Sequence, residues 1–328
     1  MATFAILPRP SQWERLKIVQ SQERNRRVQR YLPRKPKYQH HQHSGEQNQG
    51  LMQQYARLRA LLFTASLLVT QGVLAGQPLF DAHLHYNIED AKHYPPDRIV
   101  AILGDSKIAK AVVTSRPPRQ ALVLHESAPS VILPILGVYR TQFEKQIWMY
   151  DRSLPGRVES LLEEGPWRGI GELHIFAKDR RNPVFLRIVE LAAAHSLPLL
   201  MHCDPAVIDA IFEHAPEAKV VWAHAGAYPY PPLLRDYLDR YPNLHVDLSV
   251  RDERIAPSGA IAEAWELLLF EFSERFLVGV DTYRTERWAY YPDVVKQIQK
   301  WLEQLPVEVS TAIRYENGQR LFAEDHAE

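Results

Sequence analysis

The sequence predicts an α/β fold, a (β/α)8 TIM barrel, and three observations carry that expectation. Past residue 76 the chain holds 252 residues, close to the roughly 250 typical of eight strand–helix units. Eight short runs rich in Val, Ile, Leu and aromatic residues alternate there with longer amphipathic stretches. Histidines and carboxylates fall at the ends of those runs, where a parallel barrel displays its chemistry.

The expected strands begin with PLFDAHLH (78–85), AKAVVTS (109–115), SVILPILGVY (130–139) and RGIGELHIF (168–176). They continue with LPLLMHC (197–203), KVVWAHA (219–225), NLHVDLS (243–249) and RFLVGVD (275–281). Pro, Gly, Asp or Asn bounds each of them. Apolar residues recur at helical spacing over 183–195, 233–241, 260–272 and 291–302. Pro117 and Pro118 shorten the helix after the second strand. Strand followed by helix, repeated throughout, implies parallel pairing through right-handed crossovers. An open doubly wound sheet is the rival arrangement, but no glycine-rich phosphate loop follows the first strand.

Hydrophobic residues make up 46% of the chain and charged residues 24%, which excludes a disordered or multi-span membrane protein. The single cysteine, Cys203, excludes an internal disulfide framework and an all-cysteine zinc site. The net charge of +0 hides an asymmetry. Residues 1–76 hold 12 of the 39 Lys and Arg but 3 of the 39 Asp and Glu, leaving 27 basic against 36 acidic residues in 77–328. An acidic domain is a poor partner for nucleic acid, so a small-molecule substrate is expected.

Residues 1–51 are rich in Arg, Gln and His without apolar periodicity, the composition of a disordered basic extension. His40, His41 and His43 have no acidic or thiol neighbours and read as compositional bias. Residues 52–76 differ: Arg57 and Arg59 precede the uncharged run ALLFTASLLVTQGVLAG, which ends in small residues. That is the layout of a secretory signal peptide, too short to remain as a membrane anchor. On this reading Met52 is the natural start and the mature protein begins near Gly76 or Gln77. The domain at 77–328 would then be periplasmic or secreted; with a buried leading helix instead, it would be cytoplasmic.

The chemistry lies at the strand ends. His83 and His85 are two apart on strand 1 and so share a face, as do Glu172 and His174 on strand 4. Strand 5 ends at His202, strand 6 at His224 and strand 8 at Asp281. A histidine alone at such a place is commonly structural, and Glu172 or Asp281 alone would suit an ion pair or a helix cap. Polar residues on five strand ends of an apolar barrel incur burial costs together unless something pairs them. A divalent metal held by His83, His85, Glu172, His202, His224 and Asp281 pairs them all, and imidazole with carboxylate suits zinc. Such an ion lowers the pKa of its water toward about 7. Asp281 is then placed to accept a proton from that water, and a second ion, or His224 if there is none, to polarise the substrate.

Here the sequence resembles the amidohydrolase superfamily, most closely its amidohydrolase-related (family 2) group. The resemblance covers about residues 78–290 and rests on DAHLH, GIGELH, His202, the HAG at 224–226, YPNLHVDLS and GVDTYRTERW. It implies that the family's first-strand histidine pair is His83 and His85. Its fifth- and sixth-strand histidines correspond to His202 and His224, and its metal-binding, proton-shuttling aspartate to Asp281. The carboxylated lysine that bridges two ions in many members is missing, and Glu172 stands there, as a glutamate does in the TatD-like branch. One ion or two remains open on this pattern.

The expected activity is metal-dependent hydrolysis of an amide, ester, lactone or phosphoester bond. The alternatives are a single-zinc, non-oxidative decarboxylase of the same family and a barrel that binds without turnover. His174, Arg140, Tyr283 and Arg284 are the expected substrate-side residues, with Tyr139 and Arg287 beside them; arginine suits bidentate capture of an anion. Cys203 follows His202 and so faces away from the pocket. Trp167 and Trp222 read as packing, and His125, His195, His214 and His245 carry no assigned role.

Overall fold

Eight parallel strands alternate with helices along residues 78–323, the part of the chain that the computed structural model describes. The basic extension, with His40, His41 and His43, and the expected signal segment lie outside the described residues. β1 (Leu79–His85), β2 (Ile108–Thr114) and β3 (Ile132–Pro134) pair in that order. β4 (Ile170–Ile175), β5 (Leu199–Cys203), β6 (Val220–Trp222), β7 (Leu244–Asp247) and β8 (Phe276–Leu277) likewise pair in sequence.

Backbone hydrogen bonds join the two sets at both seams. Leu136 N–H donates to Gly169 O at 2.8 Å, and Gly171 N–H to Leu136 O at 3.0 Å. Across the other seam Ala82 N–H donates to Val278 O at 2.9 Å and Asp281 N–H to His83 O at 2.8 Å. Through these bonds the two sets of strands close into one barrel.

Around them run α1 (Ile88–Ala91), α2 (Pro96–Asp105), α3 (Arg119–Ser127), α4 (Leu154–Leu162), α5 (Pro183–Ala194) and α6 (Pro205–His214). α7 (Pro231–Arg240), α8 (Asp252–Ile255), α9 (Glu263–Glu271), α10 (Tyr291–Leu302) and α11 (Val307–Thr311) complete the set. Proline opens α2, α5, α6 and α7, where its missing N–H would have had no helical partner. Asn182 caps α5 by accepting from Val184 N–H at 2.9 Å. The same helix buries Phe185, Ile188, Val189 and Ala192, the i, i+3, i+4, i+7 stripe that turns one face to the strands.

Two apolar layers result. Phe80, Ala82, Val112, Leu133, Leu200, Val221 and Leu277 fill the barrel interior, and Leu321 and Phe322 close its floor. The larger layer, which includes Leu79, Leu84, Leu173, Ile175 and Val246, lies between strands and helices.

Strict alternation from Phe80 and Ala82 would send His83 and His85 outward, to the helices. The pairing of β1 with β2 prevents this, because its register slips between Asp81 and Leu84: Asp81 lies opposite Ala111 and Leu84 opposite Val113. Three residues of β1 span two of β2, a bulge that reverses the parity of everything after it. β4 repeats the device between Gly171 and Leu173, with Gly171 opposite Leu200 and Leu173 opposite Met201. The extra residue there is Glu172. Gly171 has φ +144, and a Cβ on it would lie 2.5 Å from Leu200 O, so only glycine fits this bulge.

Strands 3, 6 and 8 are shorter than the apolar runs suggest. β6 stops at Trp222, and His224 sits beyond it in a tight turn with φ +60. β8 stops at Leu277, while the chain to Asp281 continues along β1 through the seam hydrogen bonds. α9 begins at Glu263, after a turn with left-handed Ser258 and Gly259 that the apolar spacing from residue 260 does not reveal.

Candidate metal centre

Five histidines and two carboxylates converge at the C-terminal mouth of the barrel. His83 and His85 bring their Nε2 atoms to 3.3 Å of each other. His85 Nε2 lies 3.3 Å from Asp281 Oδ1, and His83 Nε2 lies 3.8 Å from the same atom. Glu172 stands across the mouth. Its Oε1 is 3.1 Å from His202 Nδ1 and 3.2 Å from His224 Nε2, while its Oε2 is 2.7 Å from His174 Nε2 and 3.5 Å from His85 Nε2. Ligands at about 2.0–2.1 Å around a tetrahedral zinc are about 3.3–3.4 Å apart, close to most of these separations, while His174 and Glu172 at 2.7 Å are at hydrogen-bond length.

Three donor groups emerge: His83, His85 and Asp281; His83, Glu172 and His224; Glu172, His174 and His202. Within each, the donor atoms lie within 4.8 Å of one another.

A second layer fixes the rings. His83 Nδ1–H donates to Asp247 Oδ2 at 2.8 Å, which turns Nε2 toward the cluster. His224 Nδ1–H donates to Ser249 Oγ at 2.9 Å, and Ser249 Oγ–H donates to Asp247 Oδ2 at 2.6 Å. One buried carboxylate therefore orients two histidines from different strands. The left-handed turn that carries His224 is held by Arg251, whose Nε donates to His224 O at 2.7 Å. Thr282 ties the end of strand 8 to strand 1, accepting from His85 N–H at 2.9 Å and donating to His85 O at 2.7 Å. Asp281 itself has φ +55, a conformation these contacts hold against its intrinsic cost.

The electrostatics favour a cation. Burial works against a charged His83, yet Asp281 and the hydrogen-bonded Asp247 raise its imidazole to about 10. Burial likewise opposes charge on Asp281, but His83 and His85 hold its carboxyl down at about 2. His174 is pushed down to about 4 by burial, with Glu172 opposing, which keeps it a neutral donor. Asp281 Oδ1 is buried with no hydrogen-bond partner among the described residues. A buried carboxylate oxygen left without a donor normally costs about 1–3 kcal/mol or more. A divalent ion supplies what that atom lacks, so the donor set fits the group.

The barrel thus brings together His83, His85, Glu172, His174, His202, His224 and Asp281. It does not bring in Arg140, Tyr283 or Arg284. Arg140 is 61% exposed and committed to Glu144, 2.6 Å away, so the ordinary surface ion pair accounts for it. Tyr283 is 45% exposed, and Arg284 stacks over its ring at 5.4 Å. Arg287 donates to Val280 O at 2.7 Å.

Cys203 is buried, and burial pushes its thiol up, away from reactivity. Trp222 packs on Tyr237 of α7. His245, left without a role in the sequence reading, lies on β7 two residues before Asp247.

Sequence reasoning missed Asp247, although it ends strand 7. It also missed Lys145, on the one-turn helix Glu144–Gln146, whose Nζ lies 3.9 Å from Glu172 Oε2.

A closed parallel barrel whose strand ends supply histidines and carboxylates to a shared donor cluster defines a metal-dependent hydrolase of the barrel type. A family model for amidohydrolases matches residues 80–323, and the chain belongs to that family. Among solved structures, it is similar to a zinc-bound amidohydrolase from Burkholderia multivorans. The identity is 16% over 76% of this chain and 100% of that one, with a TM-score of 0.52.

A probable 2-pyrone-4,6-dicarboxylic acid hydrolase from Acinetobacter baumannii, with citric acid bound, matches at 15% identity over 76% of this chain and 100% of that one, TM-score 0.53. A TatD homolog from Escherichia coli matches at 13% identity over 75% and 98%, TM-score 0.52. At these identities the likeness is one of fold. No curated protein sequence matches the chain.

Proposed function

We propose that this amidohydrolase cleaves an amide, ester, lactone or phosphoester bond with two divalent ions, zinc in the first place, that share Glu172. The observation carrying this reading is the position of Glu172, a member of two of the three donor groups, with each carboxylate oxygen facing different histidines. His83, His85 and Asp281 would hold one ion; His174, His202 and His224 lie on the Glu172 side for the other. Bound there, the ions would supply Lewis acidity and lower the pKa of water toward neutrality.

The chain's own residues do the rest. Asp281 Oδ1, buried with no hydrogen-bond partner among the described residues, accepts the proton of the attacking water and returns it to the leaving group. Asp247 and Ser249 hold His83 and His224 in one tautomer throughout.

Metal analysis of the purified protein tests the proposal, with Glu172→Gln and His83→Ala beside the wild type. Two ions per chain are expected, falling toward one in Glu172→Gln with loss of turnover, because two dications then repel with less compensation. Stoichiometry unchanged in Glu172→Gln, while His83→Ala loses metal, would sink the bridging role. One ion per chain together with carbon dioxide release from an aromatic acid would replace hydrolysis by the decarboxylase reading.

A further inference from the structure

A small cleft adjoins the donor cluster, opening beside His85 and Glu172 and bounded by the end of β2 and the segment that follows β3. Every residue lining it carries a polar group, and most of those groups are already committed. Thr114 Oγ1 donates to Gly171 O. Ser115 Oγ donates to Pro117 O at 2.8 Å and accepts from Ala121 N–H at 2.8 Å. Tyr139 Oη accepts from His174 N–H at 2.6 Å, which leaves its own O–H to donate.

Two cations in the wall are different. Lys145 Nζ is 20% exposed by side chain and has Glu172 as its counter-charge at 3.9 Å, beyond hydrogen-bond length. Burial lowers its ammonium from the usual range, Glu172 partly restores it, and Arg116 lowers it again as a neighbouring like charge.

Arg116 is anchored only by its backbone, whose N–H donates to Asn87 Oδ1 at 2.9 Å. Among the described residues its guanidinium has no hydrogen-bond or ion-pair partner. Other arginines near the mouth are committed: Arg140 to Glu144, Arg251 to His224 O and Arg287 to Val280 O. The one carboxylate lining the cleft, Glu172, already faces four histidines.

Two like charges beside one small half-buried space repel each other, and a bound anion turns that repulsion into attraction. The planar guanidinium fork matches a carboxylate or phosphate edge, and the lysine adds a point charge. The acidic domain does not draw anions in from a distance, so recognition must come from this local pair.

We propose that Arg116 and Lys145, assisted by the Tyr139 hydroxyl, bind a negatively charged oxyacid group of the substrate, carboxylate or phosphate, lying beyond the scissile bond. The proposal rests on the hydrolytic metal-site reading above and adds the substrate class to it. The pair are binding residues, so their loss acts on ligand affinity ahead of the chemical step.

Calorimetric titration of the metal-loaded protein tests this with three ligands: glutarate, glutaramate, in which a neutral amide replaces one carboxylate, and 3-phosphonopropionate. A ligand that spans the metal and the pocket should bind roughly tenfold or more tighter than glutaramate, the effect of a charge-assisted contact. Whichever of glutarate and 3-phosphonopropionate binds tighter identifies the group. Arg116→Gln and Lys145→Met should each remove most of that preference with metal content unchanged. Arg116→Gln carries the test by itself if Lys145→Met disturbs Glu172, because the Arg116 side chain holds no other described residue in place.

The absence of any preference in the wild type, or a preference kept in Arg116→Gln, overturns the proposal. Failure of the metal-site reading is separately visible, in metal content and in activity after chelation, since the pocket is read as a difference between ligands.

Discussion

Replacing Asp247 by asparagine keeps the shape of the side chain and removes its charge from behind two metal-facing histidines. The native carboxylate is fully buried. Its Oδ2 accepts from Ser249 Oγ at 2.6 Å, His83 Nδ1 at 2.8 Å and His224 N at 3.3 Å, and its Oδ1 from Ser249 N at 2.8 Å. Every partner is a donor, so an amide can satisfy only one end. With the amide oxygen at the Oδ2 position three contacts survive, and the NH2 group is pressed against Ser249 N–H. One buried hydrogen bond lost in this way costs about 1–3 kcal/mol of stability.

His83 meanwhile loses the negative partner that raises the basicity of Nε2. Loss of such a supporting carboxylate costs about 10–100-fold in metal affinity, equivalent to about 1.4–2.7 kcal/mol. Zinc competition between metal-stripped protein and a chromophoric chelator measures the affinity, and urea unfolding the stability. Affinity weakened by that factor is expected, with His83→Ala weaker still. Native affinity in Asp247→Asn would refute the view that this buried carboxylate orients the ligands.

Other perturbations are equally specific. Chelation of the bound ions should abolish turnover and lower the thermal midpoint, because a ligand that binds only the folded state stabilises it; full activity after metal removal would contradict the metal centre. Gly171→Ala should destabilise by about 2–4 kcal/mol in denaturant unfolding, since the added Cβ meets backbone at a positive φ, and a change too small to resolve would mean the β4 bulge relaxes.

Burial, with Arg275 and then Arg320, pushes His245 down to about 3. The unfolded chain therefore binds the proton first, near 6.5, and stability should fall between about pH 6.5 and 3 at up to about 1.4 kcal/mol per unit. His245→Gln should flatten that slope, and an unaltered pH profile would exclude the assignment. Arg140→Ala should leave turnover and unfolding unchanged, as its guanidinium serves only a surface pair.

Much of this protein is legible one residue at a time. Apolar strand runs, prolines at helix starts and the spacing of α5 and α10 are local signals, because short-range sterics and one-sided burial write them into consecutive residues. The histidines and carboxylates of the cluster are legible too, since polar side chains are rare on barrel strands and must be paired there. Spacing shows that His83 and His85 share a face, and likewise Glu172 and His174.

Which face they share was decided by tertiary structure. The bulges in β1 and β4 depend on how each strand registers against its neighbour, and one residue of slip exchanges the inner and outer faces of everything that follows. The choice between Arg140 and Arg116 is of the same kind. Both follow strands and look alike in sequence, but Glu144 lies four residues from Arg140 and takes its charge, whereas chain folding leaves Arg116 beside the cleft with no ion-pair partner among the described residues. Asp247 became a partner of His83 only when the barrel closed, because 164 residues separate the two along the chain, and no local pattern encodes a contact made across that closure.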